Sequence, residues 1–305
     1  MDNLDNKTGR MGIGIISAGR VGAALGSALR AVGHQIVGAY ATSEASIDRL
    51  ETMLPGVPAL DVHAIVERSE LVILAVPDDE LPGLVSGLAE LGAWQPGQIL
   101  VHVAGRYGTD VLKPAMAQGA IGLAIHPAMT FTGTSLDVAR LQGCPFAVTA
   151  AAPFQPIGLA LVAEMGGEGF ILAEGDRPLY HAALAHGANH AVTLVAQAVR
   201  ILHSVGMNGE YLRPLLTAAV EGALNSGEAL QTGPVVRGDT GTVSEHLDTL
   251  DAAAVEDGEL ADIPDTYRAL AIATAKRAEK RGVISAEKLA ELLDTLKPDA
   301  TENYR

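Results

Sequence analysis

The chain has 305 residues, 48% of them hydrophobic, which is enough to bury a sizeable core and long enough for two domains. Its 36 acidic residues against 21 basic ones give a formal charge of −15, and no Lys/Arg block forms a basic stripe, so a nucleic-acid partner is not expected. The apolar run Met11 to Leu29 is interrupted by glycines and Arg20 and preceded by Asp2 and Asp5, which fits neither a membrane span nor a secretory signal.

In chain order, residues 1–10 read as a disordered polar tail. Met11 to Ile16 is predicted as a buried strand, Val21 to Val32 as a small-residue helix ended by Gly33, and Gln35 to Tyr40 as a second strand. Apolar runs follow at Leu71 to Val76, Ile99 to Val103, Gly122 to Ile125 and Phe146 to Thr149. Short continuous strands with helical crossovers predict an α/β fold, a doubly wound Rossmann-like, mostly parallel sheet, over residues 11–160. The lone Cys144, in "QGCPFAV", reads as a small buried residue of a cytoplasmic protein. From 175 to 298 the character is all-helical. One long helix is expected over Pro178 to His203, then helices at Tyr211–Ser226, Val243–Ala254, Pro264–Arg281 and Ala286–Leu296.

"SAGRVG", from Ser17 to Gly22, has the spacing of the dinucleotide fingerprint G-x-G-x-x-G, with serine in place of the first glycine. The retained Gly19 and Gly22 are the positions that admit the pyrophosphate and pack helix on strand. Serine suits the first position if its φ is negative. Ser17, Ala18, Gly19, Arg20, Val21 and Gly22 are therefore the expected cofactor loop, against the alternative of a ligand-free turn. The second strand ends in Thr42-Ser43 where an acidic residue would take the ribose of NAD, so NADP is expected over NAD. Val76, Pro77 and Asp78, after the third strand, complete the cofactor set.

Ligands of open α/β sheets sit beyond the carboxyl ends of the strands. His126 opens the loop after one such strand, placed either to exchange a proton with a substrate or to bond a loop carbonyl. His102 lies inside its strand and reads as structural.

"SAGRVG", "LAVPDDELPGLV", "HPAMTFTG", "YHAALAHGANHAVTLVAQA" and "QTGPVVRGDTGTVSEHL", in this order, resemble the actinobacterial branch of an uncharacterised family, with Gln231 at a position that family fills with leucine. The resemblance implies a Rossmann-like NADP-binding domain joined to a helical domain of unassigned function, in predicted oxidoreductases. More distantly the layout is similar to 6-phosphogluconate, 3-hydroxyisobutyrate and prephenate dehydrogenases and to pyrroline-5-carboxylate reductase. That likeness implies a homodimer formed through the helical domain and a small carboxylate substrate, such as a 2-oxo or hydroxy acid.

In the hydroxyacid dehydrogenase relatives a helix lysine delivers the proton, but this chain has no lysine between Lys113 and Lys276. The matching helix offers His186, Asn189 and His190, which an α-helix would put on one face. His186 is expected to replace the lysine and Asn189 to orient the substrate, with His181 and His190 as substrate contacts. The alternatives are packing histidines or a zinc pair, though "HGANH" lacks the glutamate of H-E-x-x-H, and no metal is expected. In "TGPVVRGDTGTVSEHL", Thr242 and Glu245 read as a capping box, and Arg237 as either an anion clamp or the partner of Asp239. The function expected is an NADP-dependent oxidoreductase; a non-catalytic NADP sensor is the alternative.

Overall fold

A computed structural model describes residues 10–298, so the expected tail lies, Arg10 apart, outside the described residues. Arg10 itself is held: its guanidinium donates to Glu164 at 2.8 Å, and Glu164 also meets His34 Nε2 at 2.7 Å. The chain divides into two compact units between Gly187 and Ala188.

The first unit is a seven-stranded sheet in the order β2-β1-β3-β4-β5-β6-β7. Its strands are β1 Gly12–Ile16, β2 Gln35–Tyr40, β3 Leu71–Leu74, β4 Ile99–His102, β5 Ile121–Pro127, β6 Pro145–Ala150 and β7 Glu168–Ile171. β1 to β5 are mutually parallel, β6 runs antiparallel to β5, and β7 is parallel to β6. The helices are α1 Arg20–Ala31, α2 Glu44–Met53, α3 Val62–Arg68, α4 Leu81–Glu90, α5 Lys113–Met116, α6 Leu136–Arg140, α7 Gln155–Glu164 and α8 Arg177–Leu184.

Period-two alternation sends Ile13, Ile15, Leu71 and Ile73 into one core with Leu25, Leu29 and Leu161. It sends Ile16, Val72 and Leu74 into the other, with Ile65, Val85 and Trp94. Both faces are covered, which is why these strands read as unbroken apolar runs. The chain leaves β1 for β2 on one side and returns to β3 on the other, so the crevice beyond β1 and β3 is the topological switch point. The unit runs beyond the expected end at 160, because β7 pairs with β6 and α8 follows it.

The second unit is helical: α9 His190–Ser204, α10 Arg213–Ser226, α11 Pro234–Arg237, α12 Thr240–Glu256, α13 Ile263–Lys280 and α14 Ala286–Thr295. Val243, Leu247, Ala275 and Leu292 form its core. Two expectations are corrected. The long helix expected over 178–203 runs unbroken but not uniformly α, because Ala185–Asn189 forms a π turn between α8 and α9. The cap of α12 is Asp239, whose carboxylate accepts from Thr242 N at 3.1 Å and Thr242 Oγ1 at 2.7 Å, and not a box begun by Thr242.

Candidate functional site

The chain leaves β1 through Ser17, whose φ of +79° makes it the one non-glycine residue in the left-handed region among the described residues. A negative φ was the condition for serine at this position, and the structure overturns it. Holding a serine in that region costs roughly 1 kcal/mol. The turn is fixed on both sides. Ala18 N donates to Tyr40 O at 2.8 Å, and Ala75 N donates to Ile16 O at 2.9 Å.

Gly22 is sterically obligatory, since a Cβ there would stand 2.2 Å from the Ser17 carbonyl oxygen. At Gly19 the same added carbon would meet only Ser17 Oγ, at 3.4 Å, so the loop is open where a ligand would approach. Gly19 is also the N-cap of α1, with no side-chain cap and no acidic residue in the first turn. Backbone N–H groups at such a terminus, reinforced by the helix dipole, suit a phosphate. The loop Val76-Pro77-Asp78 follows β3 beside it.

Thr42 and Ser43 stand between the end of β2 and the start of α2. Ser43 Oγ accepts from Ser46 N at 3.2 Å as the N-cap of α2 and donates to Ser46 Oγ at 3.0 Å, while Ser46 Oγ also accepts from Thr42 N at 3.1 Å. The Ser43 hydroxyl is committed to local structure.

A second cluster stands at the carboxyl ends of β4 and β5. Arg177, at the start of α8, is fully buried. Its Nε donates to Thr149 Oγ1 at 2.8 Å, Nη1 to Ala104 O at 3.2 Å, and Nη2 to Ala124 O at 2.7 Å and Ala147 O at 3.0 Å. One guanidinium thus joins β5, β6 and the segment just after β4. Burial lowers its pKa to about 10, which leaves it charged at neutral pH.

His126 lies within β5, opposite Ala147, and does not open the following loop. Its Nδ1 is hydrogen-bonded to the Tyr180 hydroxyl at 3.0 Å, and its ring stands edge-on to His181 with centroids 6.1 Å apart. Burial, the nearby Arg177 charge and His181 lower its pKa to about 4, so it is neutral near pH 7. Burial pushes the Tyr180 hydroxyl above its ordinary value. A Cβ on Gly105 would come within 2.7 Å of His181 Cδ2 and 2.9 Å of His126 Nε2, so the loop after β4 closes on both rings. Behind it His102 Nε2 donates to Gly108 O at 2.8 Å, its Nδ1 is buried without a partner, and burial lowers its pKa to about 3.

The structure therefore brings Ser17 to Gly22 together with the end of β3, and His126 together with His181. His186 and Asn189 fall in the π turn and His190 opens α9; all three are exposed, and the wider turn departs from the α-helical phase that would put them on one face. Arg237 is exposed at the end of α11. Arg177 and Tyr180 were missed: "GDRPLY" reads as a helix start, and arginine is a surface residue by default. Burial holds the Cys144 thiol above its ordinary pKa, as suits an inert side chain. Among the described residues no helix is long and apolar enough to cross a membrane, and no three His, Cys, Asp or Glu side chains are grouped to hold a metal.

Comparison with known proteins bears on both halves. Two glycerol-3-phosphate dehydrogenases [NAD(P)+] of Bradyrhizobium are similar in sequence. That of strain ORS 278 is 28% identical over 238 residues, covering 71% of this chain and 68% of its own. That of strain BTAi1 is 31% identical over 171 residues, so this chain spans about half, 51%, of its length. A solved structure from Bacteroides fragilis, described as an NADP oxidoreductase, superposes with a TM-score of 0.74 at 20% identity, covering 88% of this chain and 99% of that one, and shows a shared fold. Residues 1–127 match the Rossmann-like domain and residues 144–274 match a domain of unknown function, DUF2520.

Proposed function

We propose that this protein is an NADP-dependent oxidoreductase that moves a hydride between the nicotinamide ring and a small carboxylate-bearing hydroxy or oxo compound. The observation that carries the reading is the loop Ser17 to Gly22. It holds a strained left-handed residue, excludes a Cβ at Gly22, and leaves Gly19 and the uncapped start of α1 open. A dinucleotide pyrophosphate fits that cradle. The named activities of the Bradyrhizobium relatives, which use NAD(P)+, support the same class.

When bound, the cofactor supplies the hydride. The chain supplies the proton and the positioning. Tyr180 is a neutral hydroxyl beside a neutral His126, a pair able to hand a proton to an oxygen or nitrogen beyond the strand ends. The buried Arg177 charge next to them favours an anionic substrate and the alkoxide-like charge that develops during hydride transfer. His186, with Asn189 and the substrate contacts His190 and Arg237, is the competing proposal for the proton and for substrate binding. A homodimer through the helical unit is proposed on the exposed Val192, Leu215, Val220 and Leu224 of α9 and α10. A cytoplasmic setting suits the single buried thiol Cys144.

The test is thermal unfolding with NADPH and with NADH, followed by loss of reduced-nicotinamide absorbance across a panel of 2-oxo acids. Stabilisation with turnover supports the oxidoreductase. Stabilisation without turnover on any substrate supports the sensor, and stabilisation by neither nucleotide defeats both.

A further inference from the structure

Two arginines meet beside the loop that leaves β1. Arg20 begins α1 directly after Gly19, and Arg49 lies on α2. A Cβ on Gly133 would stand 2.8 Å from Arg49 Nε and 3.0 Å from Arg20 Cγ, so both side chains flank the same glycine. Among the described residues neither forms an ion pair, in a chain with 36 acidic side chains. Arg49 Nε is buried with no hydrogen-bond partner, and Nη1 reaches only the Ala18 carbonyl, at 3.5 Å. A buried, unpartnered donor on a charged group is costly, and two neighbouring cations add repulsion. An anion would relieve both.

The opposing loop is built to stay in place. Gly133 has φ +83°, and its N–H donates to the fully buried Asp137 carboxylate at 2.7 Å. Thr132 adds its own N–H at 2.9 Å and its hydroxyl at 2.9 Å. Burial opposes the charge of Asp137, yet the bonds from Thr132 and Gly133 outweigh it and hold the carboxyl below its ordinary pKa. The arginines therefore face a fixed wall that could not carry a side chain.

Position names the anion. Ala18, which Arg49 touches, donates its N–H to Tyr40 O at the end of β2, and the ribose 2′ position of a bound dinucleotide lies at that strand end. We infer that Arg20 and Arg49 form the recognition site for the 2′-phosphate of NADP, a role the Ser43 hydroxyl cannot take because it caps α2. The inference rests on the nucleotide reading given above.

Equilibrium binding by calorimetry, with NADPH, NADH, adenosine 2′,5′-bisphosphate and AMP as ligands, tests it without turnover. Wild type is expected to bind NADPH and the bisphosphate tighter than NADH and AMP. Arg49→Gln and Arg20→Gln should each weaken the 2′-phosphorylated ligands by about tenfold or more and change NADH by no more than about twofold, as the loss of a charged hydrogen bond implies. Arg49→Lys, which keeps the charge, should fall between, and ligand-free melting of each variant checks that it folds. Equal losses for NADPH and NADH would move the arginines to the pyrophosphate and overturn the assignment, as would unchanged affinities. Wild type that binds none of the four ligands would instead defeat the nucleotide reading itself.

Discussion

The Tyr180 hydroxyl lies 3.0 Å from Nδ1 of His126, linking the first helix after β7 to the carboxyl end of β5. If this pair delivers the proton, Tyr180→Phe should lower turnover by about 100-fold or more while leaving NADPH affinity unchanged. His186→Ala should then cost little. The opposite pattern, loss with His186→Ala and none with Tyr180→Phe, would assign the proton to the π turn.

Strain at Ser17 predicts a gain from the residue that the fingerprint ordinarily carries. Ser17→Gly should raise unfolding free energy by about 1 kcal/mol in urea titration, because glycine takes φ +79° without penalty. Gly22→Ala should act the other way, costing about 2 kcal/mol or more and abolishing nucleotide-induced stabilisation, since its Cβ would meet the Ser17 carbonyl oxygen at 2.2 Å. An unchanged melting temperature for Gly22→Ala would show that α1 can move off the strand.

Removing the buried guanidinium should be far more damaging than removing a surface arginine. Arg177→Met would strand the carbonyls of Ala104, Ala124 and Ala147 and should cost about 3 kcal/mol or more in chemical denaturation. Arg177→Lys should recover little of this, because an ammonium cannot reproduce a planar fork that serves four acceptors. Full stability of either variant would mean that these carbonyls find other donors.

Two histidines, His102 buried and His126 half-buried, set an acid limit. His102 and His126 have folded-state pKa values lowered to about 3 and about 4, below the ordinary 6.5, so the unfolded chain binds protons first. Stability should therefore be full above pH 6.5 and fall as the pH drops from there toward 4, by up to about 1.4 kcal/mol per pH unit for each histidine. Urea midpoints at pH 7, 6 and 5 measure the slope, and His102→Gln should make it shallower. A flat profile over that range would show that neither histidine is held neutral.

The sheet was legible in the sequence because strands covered on both faces leave continuous apolar runs, and Leu71 to Leu74 could hardly be anything else. The turn from β1 into α1 was legible from Gly19 and Gly22, but the backbone angle at Ser17 was not, since the tertiary bonds of Ala18 and Ala75 decide it. Asp239 and Thr242 are both competent caps three residues apart, and only packing selects between them. The π turn left one trace, Gly187 within an alanine-rich helical stretch. Arg177 left none: nothing in "GDRPLY" distinguishes an arginine threaded between strand ends from one in water. Arg49 was hidden for a related reason, because Ala18 and Gly133, which it meets, come from loops distant in the chain.

The burial of Arg177 has a kinetic consequence. Dissolved ions screen the exposed carboxylates that give this chain its −15 charge, but they hardly screen a guanidinium sealed under protein. If the substrate is the anion proposed above, at low ionic strength it is repelled by the surface before it meets the attraction of Arg177. Adding salt removes the repulsion and leaves the attraction, so association should quicken with ionic strength, the reverse of an encounter steered by surface charge.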